Sequence, residues 1–175
     1  MTDLLKAQED MKDGNYEPLK ELLETMQPII SSIDLTPDGA ILLRGILSVA
    51  KDDLENNKLE QSQLYIIDDL ITVTIYFADQ ALLAKTIIRK MEDNEIAIKA
   101  SLVNRLIKGR SLSRTDSGSI LNLIASGIIK VKPEMFKKMV NHIIETKKVS
   151  RIEMIDALLE QKIKSVSSSE KIVFI

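Results

Sequence analysis

Few side chains in this sequence could take part in catalysis or bind a metal, and their spacing does not predict that they come together in one site. His142 is the only histidine and there is no cysteine, which excludes thiolate chemistry and a histidine metal cluster. Adjacent carboxylates occur at Asp52/Asp53, Asp68/Asp69 and Glu92/Asp93. Neighbouring residues on a helix point about 100° apart and cannot converge as an acid and a base. We therefore expect these carboxylates to be solvated and the chain to be no enzyme, with no cofactor and no metal site.

Two short motifs resemble ligand-binding loops but lack their spacing. The stretch from Asp34 to Gly39 holds two aspartates and a glycine, yet ligands are missing at the positions that a calcium loop requires. Ser117-Gly118-Ser119 follows no predicted strand and leads into no Gly-Lys-Ser or Gly-Lys-Thr, as a phosphate loop would. Thr36 and Pro37 are better explained as the start of a helix, where Thr is a favoured N-cap and Pro a favoured first residue.

One segment of the sequence recurs 37 positions further along the chain. Residues 102–114 read LVNRLIKGRSLSR, and residues 139–151 read MVNHIIETKKVSR. The identical pairs are Val103/Val140, Asn104/Asn141, Ile107/Ile144, Ser113/Ser150 and Arg114/Arg151. A fixed period between about 20 and 50 residues is the signature of stacked helical units. The repeat also places Asn104 and Asn141, with Arg105 and His142 beside them, on equivalent faces.

Apolar spacing and helix-stop residues predict about nine helices and no strand. They cover roughly residues 3–12, 17–31, 37–51, 62–78, 79–93, 95–108, 115–126, 133–146 and 151–165. Ser150 and Glu153 form a predicted capping box, and Pro28 should kink the second helix or end it early. Residues 64–77 are rich in Ile, Thr and Val, which favour strands. A helix is nevertheless predicted there, because no other segment offers a strand to pair with.

The 37-residue period groups these helices into hairpins. Helices 95–108 and 115–126 match helices 133–146 and 151–165, and the earlier helices form two further, divergent pairs. We predict an all-α fold, a short right-handed, α-solenoid-like stack of antiparallel helical hairpins, in one domain over residues 1–165. A compact irregular helical bundle is the alternative. Residues 166–175 form a polar, serine-containing C-terminal tail with an apolar end, which we expect to dock on its own domain.

The last two predicted hairpins resemble a known class of repeat. Pro133 opens a helix, and a turn then leads through Val149-Ser150-Arg151 into a second helix with Ile155, Ala157 and Leu158. Leu112-Ser113-Arg114 begins the second helix of the preceding hairpin in the same way. Residues 95–165 thus resemble the HEAT family of helical-hairpin repeats. The resemblance implies a curved scaffold that binds other macromolecules, without a chemistry of its own.

The net charge of −2 conceals an asymmetry along the chain. Residues 1–98 hold 19 Asp and Glu against 9 Lys and Arg, whereas residues 99–175 hold 7 against 15. Such a division indicates a basic surface for an acidic partner or nucleic acid, or a dipolar protein whose charges solvate helix faces. The acidic N-terminus does not fit a signal peptide, and no apolar run reaches the ~18 residues of a membrane helix. We therefore expect a cytoplasmic (intracellular) protein with no membrane partner.

These features favour a non-enzymatic helical interaction module, an adaptor or regulatory accessory protein whose basic half docks an acidic partner. The predicted partner-binding residues are Asn104, Arg105, Lys108, Arg110, Arg114, Asn141, His142, Lys147, Lys148 and Arg151. An RNA- or DNA-binding accessory protein that contacts phosphates through the basic half is one alternative, although only Phe136 and Phe174 offer aromatic rings there for base stacking. Head-to-tail self-assembly into a homo-oligomer is the other.

Overall fold

The computed structural model describes residues 2–78 and 149–161, together with Leu83, Thr86, Lys137, Val140, Asn141, Ile144, Glu145 and Ile163. Over these residues it has five α-helices, α1 (Thr2–Lys12), α2 (Glu17–Met26), α3 (Pro37–Glu55), α4 (Gln61–Phe77) and α5 (Arg151–Glu160). A 3-10 segment, Gln27–Ser32, follows α2 directly. No β-strand occurs among the described residues, so the predicted all-α class is confirmed for that part of the chain.

Part of the predicted helix set lies outside the described residues. This holds for all of helices 95–108 and 115–126 and for most of helices 79–93 and 133–146. The residues described within the last two, Leu83, Thr86, Lys137, Val140, Asn141, Ile144 and Glu145, are all helical. The total of nine helices therefore stays a prediction.

Helices α2 and α3 end at residues that are unfavourable within an α-helix. α2 stops at Met26, and Pro28 lies in the 3-10 segment, as predicted, since proline lacks an N–H and its ring clashes within an α-helix. α3 runs to Glu55, four residues beyond its predicted end. It stops at Asn56, whose side chain donates to a carbonyl of the last turn, and at Asn57, which adopts a left-handed φ of 53°. Asparagine tolerates that conformation better than most residues.

Side-chain caps fix where α3, α4 and α5 begin. The hydroxyl of Thr36 accepts the backbone N–H of Gly39 at 3.0 Å, and the hydroxyl of Ser150 accepts that of Glu153 at 3.1 Å. Both predicted N-caps are confirmed. At the start of α4, Gln63 accepts the backbone N–H of Glu60 at 3.0 Å, a cap that the sequence analysis missed.

α4 is the central helix of the described bundle, and it is apolar on nearly every side. It packs against α2, α3, the 3-10 segment and α5, and every residue from Ile66 to Phe77 except Asp69 is buried. The buried hydroxyls of Thr72 and Thr74 donate to backbone carbonyls one turn earlier, so the helix hides them without unpaired donors. The helical prediction for residues 64–77 is confirmed. Despite this apolar character, no helix within the described ranges is long and apolar enough to cross a membrane.

Two polar contacts fasten α5 to α3. The guanidinium of Arg44 donates to the backbone carbonyl of Gln161 at 2.6 Å and to that of Leu159. These are carbonyls that the end of a helix leaves unpaired, and a cation there is favourable. α5 accordingly ends at Glu160, about five residues before its predicted end. The ammonium of Lys51 lies 2.5 Å from a carboxylate oxygen of Asp156.

The described helices close on themselves. α1 packs against α2 and α3, and α5 packs against α3 and α4, although 95 residues separate α5 from α3 and 73 separate it from α4. In an open stack of hairpins each unit contacts only its neighbours, and α5 belongs to the last predicted hairpin whereas α3 belongs to the first. α5 nevertheless contacts α3 as well as α4, and the choice between the stack of hairpins and the compact irregular bundle stays a prediction.

Replacing the N-cap of α3 should destabilise the protein measurably. We expect Thr36→Ala to lower the free energy of unfolding by about 1 kcal/mol, because an orphan N–H of the first turn loses its acceptor. Urea denaturation measures this, with Thr36→Ser as the variant that keeps the acceptor. Thr25→Ala is the matched control, since the Thr25 hydroxyl is exposed and bonds only within its own helix. Equal destabilisation by Thr36→Ala and Thr25→Ala would contradict the assignment.

Candidate functional site

Two of the predicted partner-binding residues, Asn141 and Arg151, are among the described residues. The others, Asn104, Arg105, Lys108, Arg110, Arg114, His142, Lys147 and Lys148, lie outside them, and their roles stay predictions. A functional site has therefore to be sought first in what the described side chains do.

Arg151 is the first residue of α5 and forms an internal ion pair with Asp68 on α4. Its Nε donates to Oδ1 of Asp68 at 2.6 Å, and a terminal nitrogen donates to Oδ2 at 3.1 Å. This is the two-pronged geometry that best matches a guanidinium to a carboxylate. Asp68 is only 8% exposed, so the expectation that it is solvated is wrong. α4 is covered on most sides, and the carboxylate of Asp68 is tolerated in this buried position because Arg151 neutralises it.

Asp69, the neighbouring carboxylate, takes part in a second link between the two halves of the sequence. The ammonium of Lys137 lies 2.8 Å from Oδ1 of Asp69 and donates to Oε1 of Gln27 at 3.1 Å. The amide nitrogen of Gln27 is buried without a hydrogen-bond partner. This link is about one-third exposed at both charged side chains, so it is more strongly screened by water than the Asp68–Arg151 pair.

Asn141 lies one helical turn after Lys137, and its side-chain oxygen points away from solvent. That oxygen is buried and has no hydrogen-bond partner. Asn104 lies outside the described residues, so the predicted polar ladder of the two asparagines stays a prediction. Together with the pairs of Arg151 and Lys137, the buried oxygen of Asn141 shows that part of the basic half is engaged internally with the acidic half.

Tyr16 and Asp53 form the described pairing that most resembles catalytic chemistry. The phenol donates to Oδ2 of Asp53 at 2.5 Å, and Tyr16 is 3% exposed. Burial, followed by the hydrogen bond and the charge of Asp53, raises the pKa of Tyr16 far above its ordinary range. The phenol therefore stays protonated at neutral pH and cannot serve as a base there. Asp53, like Asp68 and Asp69, is held by a partner and is not the freely solvated carboxylate that the sequence analysis expected.

The same survey finds no assembled metal site. In the described ranges no three His, Asp or Glu side chains gather closely enough to hold an ion. Glu92, Asp93 and His142 lie outside those ranges. The described ionisable side chains in the pairs of Asp53, Asp68 and Asp69 lie close together and link different parts of the bundle.

A surface that the sequence analysis missed lies along the junction of α1 and α3. Leu5 is 46% exposed and Ile41 is 67% exposed. Gln8 and Gly45 are in close contact between the two helices, since a methyl group at Gly45 would lie 2.5 Å from the Gln8 amide nitrogen. Leu5 is three residues from Gln8, and Ile41 is four from Gly45, so each lies on the side of its helix that borders this junction. We call Leu5, Gln8, Ile41 and Gly45 the α1–α3 seam.

The sequence carried a weak signal for this surface. Residues 41, 42, 43, 46 and 47 are all apolar, and they span too wide an arc of a helix to face one core. Leu43, Ile46 and Leu47 are buried, whereas Ile41 points to solvent. A surplus apolar residue on an otherwise amphipathic helix is thus the feature that indicates the α1–α3 seam.

Comparisons of this chain with protein-family models, with curated proteins and with solved structures find no match. The resemblance of residues 95–165 to HEAT repeats consequently stays a prediction from the sequence. The function has to be argued from the described side chains and from the charge pattern.

Neutralising Asp68 should destabilise the protein far more than neutralising Asp69. We expect Asp68→Asn to lower the free energy of unfolding by about 2 kcal/mol or more, because it leaves Arg151 half-buried without its counter-charge. Asp69→Asn, the matched control, should cost less than about 1 kcal/mol, since its ion pair is partly exposed. Urea denaturation measures both.

The double variant Asp68→Leu/Arg151→Met refines this test. It should recover much of the lost stability, because removing both charges also removes the cost of burying them. A double variant less stable than Asp68→Asn would show that the pair does more than neutralise charge.

Tyr16 should make the protein less stable at alkaline pH. Unfolded tyrosine loses its proton near pH 10, whereas folded Tyr16 keeps its proton because its pKa is raised. Above about pH 10 the unfolded state thus binds fewer protons, and stability falls as pH rises. Tyr16→Phe should flatten this fall in urea denaturation between about pH 8 and 11, with a remaining slope from Tyr76, whose pKa is also raised by burial. Tyr65→Phe, at an exposed position, is the control, and an unchanged slope in Tyr16→Phe would contradict the assignment.

Proposed function

We propose that this protein is a non-enzymatic helical interaction module, an adaptor or regulatory accessory protein that binds other macromolecules through its helical surfaces. The observation that carries the proposal is the α1–α3 seam, where α1 and α3, which pack against each other, each expose a large apolar side chain within about one turn of the Gln8–Gly45 contact. Among the candidate carboxylates, Asp53, Asp68 and Asp69 each pair with another side chain, Tyr16, Arg151 and Lys137 respectively, which supports a structural role for them.

Exposed apolar side chains are informative here because of where they lie. Single exposed hydrophobic residues are normal on a protein surface, but adjacent ones on rigid helices resemble the centre of an interaction site. Binding energy in protein complexes concentrates in a few such residues, with polar neighbours around them that exclude water. A module that presents this surface on a stable bundle is suited to docking a partner.

The basic half supplies a second surface in this proposal. Arg105, Lys108, Arg110, Arg114, Lys147 and Lys148 are proposed to dock an acidic partner surface, as the charge pattern predicts. Arg151 fits this role less well because its donors are engaged by Asp68, and it is better assigned to holding α5. Two surfaces of opposite charge would allow one chain to bridge two partners, which is what an adaptor does.

Binding to acidic polymers of two kinds tests the basic half. We expect full-length protein to bind a fluorescent poly-glutamate peptide at about 50 mM salt and to lose affinity in Arg110→Glu/Arg114→Glu, while mixed-sequence RNA and duplex DNA bind no more tightly than the peptide. Lys58→Glu, an exposed position in the acidic half, is the matched control for charge reversal. Fluorescence anisotropy from about 50 to 300 mM salt gives all the affinities.

Two outcomes would contradict the adaptor proposal. Tight RNA or DNA binding with a steep salt dependence, abolished by the double reversal, would assign the basic half to nucleic acid. A mass in sedimentation equilibrium that grows with concentration and falls with salt would assign it to self-assembly.

A further inference from the structure

The α1–α3 seam has a defined geometry. Tyr16 contacts Asp53 just as Gln8 contacts Gly45, and both pairs are separated by 37 residues. Tyr16 lies just beyond the end of α1, so the register of α1 against α3 is given by the Gln8–Gly45 contact, and Leu5 and Ile41 each lie about one turn before it. Gly45 has no side chain, and the flexible end of Gln8 occupies the space beside it, so the two helices approach closely there, with one exposed apolar side chain on each helix near the contact.

The exposed charges near the α1–α3 seam are mostly negative. Glu9 lies one turn after Leu5, Asp38 lies one turn before Ile41, and Asp52 lies three turns after Ile41 on the same side of α3; all three are exposed. Lys12 is the exposed cation on the matching side of α1. Arg44 does not offset the negative charge at this surface, since its guanidinium is held at the carbonyl end of α5.

We propose that the α1–α3 seam is the docking site for a basic amphipathic helix of a partner protein, a deepening that rests on the proposed function as an interaction module. A helix that docks on such a surface places apolar side chains at spacings of three and four residues against it. Leucines of the partner pack against Leu5 and Ile41, and lysines or arginines beside them face Glu9, Asp38 and Asp52. Charge complementarity selects a basic segment over an acidic one, and the apolar pair selects a helix over an unstructured basic tail.

A set of synthetic helices tests the proposal on the full-length protein. The probe is a labelled amphipathic peptide of roughly 18 residues with leucine on one face and lysine on the other, long enough to be helical. One control peptide replaces its leucines by serine and keeps the charge, and a second replaces its lysines by glutamate. We expect the probe to bind and each control to bind about tenfold more weakly or worse.

Variants of the protein locate the binding. Leu5→Ser/Ile41→Ser should weaken probe binding by about tenfold or more, and Glu9→Gln/Asp52→Asn should weaken it less and reduce its salt dependence. The matched control is Ile29→Ser/Tyr65→Ser, which changes two large apolar residues exposed elsewhere and should leave binding unchanged. Equal urea midpoints for all variants establish that each is folded.

Several results would overturn the inference. Unchanged affinity in Leu5→Ser/Ile41→Ser, or equal loss in the control double variant, would show that the seam is not the site. Equal binding of the serine peptide would show that only charge is recognised. A monomer–dimer equilibrium of the wild type that Leu5→Ser/Ile41→Ser abolishes would make the occupant a second copy of this chain. These results are independent of poly-glutamate binding by the basic half, so failure at the seam is distinguishable from failure of the module proposal.

Discussion

The carboxylate of Asp68 lies on the buried part of α4, a helix that is packed on most of its sides, and the guanidinium of Arg151 neutralises it there through two hydrogen bonds. An unpaired charge at that depth would cost several kcal/mol, so α4 can occupy the centre of the bundle only if α5 lies against it. The pair thereby fixes which face of α5 meets α4 and where α5 begins. A purely apolar contact would hold the two helices equally well but would specify their register less strictly.

The charge division of the sequence is partly explained by this interaction. Asp68 and Asp69, in the acidic half, form ion pairs with Arg151 and Lys137 of the basic half. Lys51 and Asp156 form a third pair, in which the cation belongs to the acidic half and the carboxylate to the basic half. Electrostatics between the halves therefore assists the closure that brings α5 onto α3 and α4. The charge that these pairs leave unused is what the molecule can offer to partners, and on α1 and α3 it is mainly negative.

The α1–α3 seam lies on the side of α3 that no described helix covers. α3 contacts α1 on one side and α5 on another, while Leu43, Ile46 and Leu47 fill the core. No described helix covers the remaining side, where Ile41 points outward beside Leu5. Retaining two large apolar residues there gains nothing for the fold of the described bundle, since they stay in contact with water. Their exposure is what makes them available to the proposed docking helix, together with the exposed carboxylates near them.

Apolar spacing, the Thr36 and Ser150 caps and the proline at position 28 were enough to predict the helical class and most of the described helix boundaries, because these are local effects of backbone hydrogen bonding and side-chain shape. The absence of cysteine and the presence of a single histidine likewise limited, from composition alone, the kinds of catalytic or metal site that the chain could form. The sequence could not show that Asp68 is buried, that Arg151 is an internal anchor, or that Ile41 is exposed. Those properties depend on which helices become neighbours, and residues 68 and 151 meet only because the chain closes into a bundle; burial and pairing are consequences of tertiary packing, which no local pattern contains.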